Sequence, residues 1–493
     1  MQEKIKGLFD WLKKIKKEVK ELNKSVDTYK KETDNQAIPS LAYVNRAKKL
    51  IDSGKYEDAK NMLTQALMIT DKDSITYKYL GICEEKLGNI ESAIENYKKS
   101  AYINESDKII WYKLGMAQIT LKRYEEAEKS FEQAHKVTPV NTDVETGWGM
   151  TFLKQKKYME AHEKFVNAIK INRYNFSAML LCAIVEVRLK QYDDAYAKLS
   201  FLIKTNPTEA CMYEFANLNF LKDNYEDAIR YATYSLEYNS NMLPAYLLLG
   251  KTYSIKQDYE KSVKYFITAE EKGLTNEALY TEWGLSMLRL YKFDDAKIAF
   301  EKALSENSES TDAKIGLILS NNELGFDLED IELSDNVYSY EAKGVYLMKT
   351  GDYEGAVDLF KQALEKDSNL VYNYYRLAKC YEKINNSTMI EDCYDKLNKF
   401  AQNFLPGYID YAKYLMDKKD YKNAQRKLRK AEKLSPDNQQ VLNMLFNVSY
   451  ILVKDDICEY NVKEVLALAD RIENFESPEL KADLEGILKN LKQ

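Results

Sequence analysis

The sequence predicts an all-α solenoid, a long stack of helix–turn–helix units with no separate globular domain. Two observations predict it. Small residues recur at Ala47, Gly81, Gly115, Gly149, Ala183, Ala216, Gly250 and Gly284, then at Gly344, Ala378 and Ala412, in steps of 34 or 33 residues broken once by the 60-residue gap from Gly284 to Gly344. A second column runs beside it at Ala59, Ala93, Ala127, Ala161, Ala195, Ala228, Ser262, Ala296, Ala356 and Ala424. A fixed period of this size is the mark of stacked supersecondary units. Such a stack grows along one line, so 493 residues do not have to divide into several globular domains.

Composition agrees. Hydrophobic residues make up 45% and charged residues 30%, ordinary for a folded chain, and 7 Pro with 17 Gly leave no room for collagen-like or long disordered stretches. The net charge of −6 offers no basic face for nucleic acid, which is not expected as a partner. The 6 Cys form no C-x-x-C pair, and most sit on apolar faces of predicted helices, where they read as small hydrophobes in a reducing compartment.

The first element is a helix over residues 3–30. Ile5, Leu8, Leu12, Ile15, Val19, Leu22, Val26 and Tyr29 alternate at steps of three and four, a heptad a/d pattern. Ten Lys against five acids give residues 1–31 a net +5. Three readings are open for this helix: a coiled coil, with a second copy or a partner; a Lys-rich helix lying on an anionic membrane surface; or a helix packed back on its own array. Each makes residues 1–35, with their short linker, an attachment device. Charges every two or three residues over 1–20 leave no signal-peptide core, and no run of 18 apolar residues occurs anywhere, so no transmembrane helix is expected. The expected location is the cytoplasm, with peripheral membrane contact left open.

The repeats follow. In the unit 108–141, Trp111, Leu114 and Gly115 fall on a first helix, Ala127 and Phe131 on a second, and Pro139 ends it. The pattern W-x-x-L-G, A-x-x-x-F, P resembles the tetratricopeptide repeat. Gln118 departs from it, standing where Tyr is usual. Similar units cover 40–310, which with the linker form a first array over 36–310. A degenerate unit with a short acidic loop occupies 311–336, and a second array covers 337–476. Residues 477–493 form a capping helix with Leu480, Leu484, Ile487, Leu488 and Leu491 on one face. The small residues let the two helices of a unit approach closely, and Tyr97, Phe131, Phe165, Phe266, Phe300, Phe360 and Tyr394 fill the space between. The resemblance implies a right-handed superhelix of about twelve units whose first helices line a concave groove.

Catalysis finds little support. The 2 His, His135 and His162, stand on second helices of neighbouring units without the short-spaced ligands of a zinc site. Gly250-Lys251-Thr252 lies inside a predicted helix and lacks the Gly five residues earlier that a phosphate loop needs. No catalytic residue, cofactor or metal is expected. Binding is better supported. By the resemblance, the groove would be lined by Tyr79, Ile82, Tyr112, Met116, Leu181, Ile184, Tyr213 and Phe220 among others, an apolar surface of the kind that marks interaction sites. Toward the C-terminus the lining turns polar, with Tyr372, Tyr375, Arg376, Lys379, Glu382 and Asp410. The Lys/Asn set of chaperone-binding relatives is absent, since Ile82 stands where Asn is needed beside Lys78. So is the Asn ladder of sugar-transferase relatives. The expected function is a non-catalytic scaffold that takes a helical or extended peptide segment in the groove. The alternative is a substrate-presenting or regulatory subunit of an enzyme or membrane-associated assembly, tethered through residues 1–31.

Overall fold

The computed structural model describes residues 40–321, 337–473, 475 and 477–491. The predicted helix over 3–30, the linker after it and the acidic stretch 322–336 lie outside the described residues. Among the described residues the fold is all-α, with 26 helices in paired helix–turn–helix packing and about 13 repeats, one more than the sequence reading gives. No helix among the described residues is long and apolar enough to cross a membrane.

The chain forms two compact units, one ending at Ser240 and one beginning at Asn241. The first holds α1 (40–52), α2 (Tyr56–Ile69), α3 (Ser74–Lys86), α4 (Ile90–Ile103), α5 (Lys108–Thr120), α6 (Tyr124–Val137), α7 (Thr142–Lys154), α8 (Tyr158–Ile171), α9 (Phe176–Arg188), α10 (Tyr192–Thr205), α11 (Glu209–Leu221) and α12 (Tyr225–Tyr238). The second holds α13 (Leu243–Ile255), α14 (Tyr259–Glu271), α15 (Glu277–Arg289), α16 (Phe293–Glu306), α17 (Thr311–Asn321), α18 (Val337–Thr350), α19 (Tyr353–Lys366), α20 (Tyr372–Lys383), α21 (Ser387–Phe400), α22 (Leu405–Asp417), α23 (Tyr421–Leu434), α24 (Gln439–Asp455), α25 (Glu459–Ala469) and α26 (Pro478–Leu491).

Inside each pair, the small residue of the first helix meets the large residue sixteen positions later. A Cβ built on Gly81 would lie 2.3 Å from the Tyr97 ring, on Gly149 2.7 Å from Phe165, and on Gly344 2.7 Å from Phe360. Where the small residue is Ala, the partner is mostly smaller: Ala47, Ala183 and Ala412 precede Leu63, Leu199 and Leu428, all fully buried. Close packing explains the trade, because a protein interior has no slack for an extra methyl beside a ring.

The turn inside each pair rests on one left-handed residue, seven positions after the small residue. Gly54, Gly88 and Gly351 occupy it, but so do Lys122, Lys156, Lys190, Asp223, Gln257, Tyr291, Asn385 and Lys419, with φ between 57° and 62°. The turn closes the first helix: Lys122 N–H donates to Ile119 O at 2.9 Å and Arg123 N–H to Gln118 O at 2.9 Å. First helices open on side-chain caps. Asp73, Asp107, Asn141, Asn175, Thr208 and Asn276 each accept from one or two N–H groups of the first turn.

At the C-terminal end, Leu484 of α26 is fully buried, Leu480, Ile487 and Leu488 pack beside it, and Leu491 is exposed. Phe446 and Phe475 meet edge to face at 4.7 Å beneath this helix pair.

Candidate functional site: the first-helix face

The eight candidate residues fall on four first helices of the first unit: Tyr79 and Ile82 on α3, Tyr112 and Met116 on α5, Leu181 and Ile184 on α9, Tyr213 and Phe220 on α11. All eight are half-buried. Five of them lean on core clusters: Tyr79, Ile82, Tyr112, Met116 and Leu181 pack against residues such as Leu80, Leu114, Phe131 and Phe165. Tyr112 meets the Phe131 ring edge-on at 6.1 Å, and Phe220 meets Tyr225 at 6.0 Å. The Lys48 ammonium lies 5.1 Å from the centre of the Tyr79 ring. Met150 and Leu153 on α7, between the two halves of the set, are half-buried as well. Tyr79, Ile82, Tyr112, Met116 and Leu181 are thus held on one side by the core and remain partly open on the other.

Charges among these residues are mostly tied to one another. Lys78 Nζ lies 2.6 Å from Asp107 Oδ2, and Lys113 Nζ 3.4 Å from Glu85 Oε1. The Asp107 carboxyl is held below its usual range: burial pushes it up, but the Lys78 hydrogen bond and the Ile109 N–H outweigh burial. Glu214 behaves oppositely. Burial pushes its carboxyl up to about 7, against the opposing pull of Arg188 and a hydrogen bond with Asn217. Burial also pushes the neighbouring Tyr213 up to about 12. Nothing in the local sequence singles out Glu214. Its burial by neighbouring helices leaves no local pattern to find.

The two histidines each face a buried glutamate on the next unit's first helix. His135 Nδ1 lies 2.7 Å from Glu145 Oε1, and His162 Nε2 3.1 Å from Glu186 Oε1. At Glu186 the Cys182 thiol also approaches, at 3.5 Å, so that His162, Cys182 and Glu186 bring three ligand-type atoms within 4.8 Å of one another. Lys198 Nζ, 2.6 Å from Glu186 Oε1, already supplies the counter-charge there. Burial pushes the Cys182 thiol up to about 12. Glu84 shows the same buried carboxylate held by Lys60 at 3.0 Å with no histidine or metal-type set around it, so these contacts read as neutralised helix packing.

In the second unit, the polar residues expected to form another groove are spent on each other. Tyr375 O–H donates to Asp410 Oδ2 at 2.8 Å, and Lys379 Nζ reaches the same carboxylate at 2.9 Å. Tyr394 O–H donates to Glu382 Oε1 at 2.7 Å. Arg376 Nη1 donates to Glu341 Oε1 at 2.8 Å. Tyr372 lies within an aromatic cluster with Tyr291, Phe293 and Phe404, at 4.8 to 6.0 Å between ring centres.

Models of the tetratricopeptide repeat match residues 109–139, 80–107, 243–271 and 337–369. No curated protein gives a significant match. Among solved structures, a tetratricopeptide repeat protein from Parabacteroides merdae is similar at 18% identity and a TM-score of 0.43, covering 50% of this chain and 99% of its own. PilF of Pseudomonas aeruginosa is similar at 20% identity and a TM-score of 0.38, covering 42% of this chain and 94% of its own. MamA of Desulfovibrio magneticus is similar at 16% identity and 0.33, covering 34% and 94%. With the repeat models matching in both units, and the same helix pair recurring between those matches, the chain is a tetratricopeptide repeat protein.

Proposed function

We propose that the chain is a protein-binding scaffold whose first unit captures a helical or extended peptide segment along Tyr79, Ile82, Tyr112, Met116, Leu181, Ile184, Tyr213 and Phe220. Tetratricopeptide repeat proteins are typically protein–protein interaction scaffolds and usually non-catalytic, and the family implies protein partners. One observation carries the reading: eight large, mostly apolar side chains on four first helices of the first unit are half-buried, and five of them pack against the core without being enclosed by it. Such a strip suits the apolar face of an amphipathic helix, which binds through anchors spaced along one side. Residues 1–31, net +5, would then add a second attachment point, to a coiled-coil partner or an anionic surface.

The test is a peptide-display selection against the full chain, followed by fluorescence anisotropy of a selected peptide. Tyr112→Ala combined with Ile184→Asp should weaken binding at least tenfold while circular dichroism stays helical. Unchanged affinity in a folded double variant would remove this face from consideration. Light scattering of the full chain and of a 36–493 truncation, with and without anionic vesicles, separates self-association from membrane tethering by residues 1–31.

A further inference from the structure

The second unit contains a cavity of about 380 Å³ at the corner where α15 meets α20. Tyr259, Tyr291, Tyr338 and Tyr372 wall it, Val371 closes one side, and the Arg289 guanidinium lies among them. Arg289 occupies the fifth position after the small residue Gly284. The residues at that position in the preceding units, Lys86, Thr120, Lys154, Arg188, Leu221 and Ile255, are all exposed. The Arg289 side chain keeps 14% exposure.

The difference arises because α20 and the segment before it pack against the α15–α16 turn. Tyr291, in the left-handed turn position at φ 59°, brings its ring within 6.0 Å of Tyr372, and Phe293 comes within 5.0 Å of it. Arg289 Nη2 donates to Asp367 Oδ2 at 2.9 Å and to Tyr338 Oη at 3.3 Å. Arg289 Nη1 is buried and has no hydrogen-bond partner among the described residues. A buried donor without an acceptor is costly, and native proteins rarely leave one so.

The chemistry of the walls narrows the acceptor's source. Asp367 already takes the other Arg289 nitrogen, and Glu341 takes Arg376 Nη1 at 2.8 Å. Burial raises the phenols of Tyr259, Tyr338 and Tyr372, and pushes Tyr291 up to about 12, so all four are protonated at neutral pH and can donate. Two of the four rings that a ligand cation would seek are taken: Arg289 stands 5.6 Å from the Tyr338 ring and Arg376 4.7 Å from the Tyr372 ring. Donors, aromatic walls and filled cation positions together favour a ligand with a ring and an acceptor oxygen. The volume suits one large side chain with its adjoining main-chain group.

We propose that this cavity binds an aromatic residue of a peptide, with the ring between the tyrosines and the peptide's carbonyl or carboxylate oxygen accepting from Arg289 Nη1. The site lies in the second unit and shares no residue with the first-helix face of the first. It makes the chain a bidentate reader of peptide segments.

The probes are acetyl-Ala-(4-fluoro-Phe) as the free carboxylate and as the amide, followed by fluorine NMR against the full-length chain. Saturable broadening is expected. Tighter binding of the carboxylate form by threefold or more identifies a chain terminus as the natural ligand, and equal binding identifies an internal carbonyl. Arg289→Met should weaken binding at least tenfold. Val371→Trp, which places a larger side chain at the cavity wall, should do the same, with folding checked by circular dichroism. Acetyl-Ala-Lys amide should not compete. Absence of saturable binding by either probe overturns the proposal, as does binding that survives both variants.

Discussion

The Phe131 ring occupies the space that a side chain on Gly115 would need: a Cβ there would lie 2.8 Å from Cε2 and Cζ of the ring. Gly147, on the first helix of the next unit, faces the same ring from the other side at 2.6 Å. One phenyl group thus sets the approach of three helices, and the glycines are small because the ring is large.

Gly115→Ala should therefore destabilise the chain by about 1–3 kcal/mol through overpacking. Phe131→Leu alone should cost about 1–2 kcal/mol as a cavity. The pair together should cost less than the sum by at least about 1 kcal/mol, since Ala183 with Leu199 already combines those residue types in a buried pair. Urea unfolding of the four variants measures this. Strict additivity would mean that the contact is not what couples the two positions.

Lys122, Lys156 and Lys190 hold left-handed backbone at φ 58° to 60°. That conformation costs a non-glycine residue roughly 1 kcal/mol or more, partly offset by the greater entropy glycine loses on folding. Each Lys→Gly substitution should raise the melting temperature by a degree or more, and the triple variant should show a near-additive gain. A fall in melting temperature would show that the lysine side chains contribute more than their backbone costs.

Asp107 caps α5 through the Ile109 N–H and pairs with Lys78. Its folded-state carboxyl lies below the unfolded value of about 3.9, so its contribution is present above that pH and is lost as pH falls through the folded value. Asp107→Ala should cost about 1–2 kcal/mol at pH 7. The gap between wild type and variant should narrow as pH falls below the unfolded value of about 3.9. Chemical denaturation across pH reads the effect, and a pH-independent gap would assign it to packing.

Glu214 carries the opposite sign. Its folded-state carboxyl, pushed up to about 7 by burial, lies above the unfolded value of about 4.3. The folded state is then favoured at low pH, and that advantage is lost as pH rises from about 4.3 through 7. Glu214→Gln should stabilise the chain at pH 8 by about 1–3 kcal/mol and change little at pH 4. Stabilisation of equal size at both pH values would show that charge burial is not the cause.

Much of the architecture was legible because it repeats. Gly81, Gly115 and their equivalents declare the helix pairs by period alone, and the large residues sixteen positions on can be read from the same register. The left-handed column shares that period, yet Lys122, Gln257 and Tyr291 do not look like turn residues, so the geometry they adopt is invisible by residue type. For the candidate face, placement on first helices followed from the register, whereas the half-burial of Tyr213 and the raised Glu214 carboxyl depend on neighbouring helices. The cavity at Arg289 was out of reach. It forms because Asp367 and Tyr372, 78 and 83 residues further on, return to the α15–α16 turn, and no local pattern encodes that return.

The pairing of glycine with a ring sixteen residues away has a bearing on how such a chain can change over generations. Gly81 with Tyr97, and Gly149 with Phe165, keep lock and key inside one 34-residue segment. A duplicated or deleted segment of that length carries its own fit with it. Phe131, which needs Gly147, and Phe300, which needs Gly316 at 2.3 Å, extend the fit across the segment border. Those two borders are the places where the copying unit is a pair of segments, and where inserting a single foreign repeat would meet resistance.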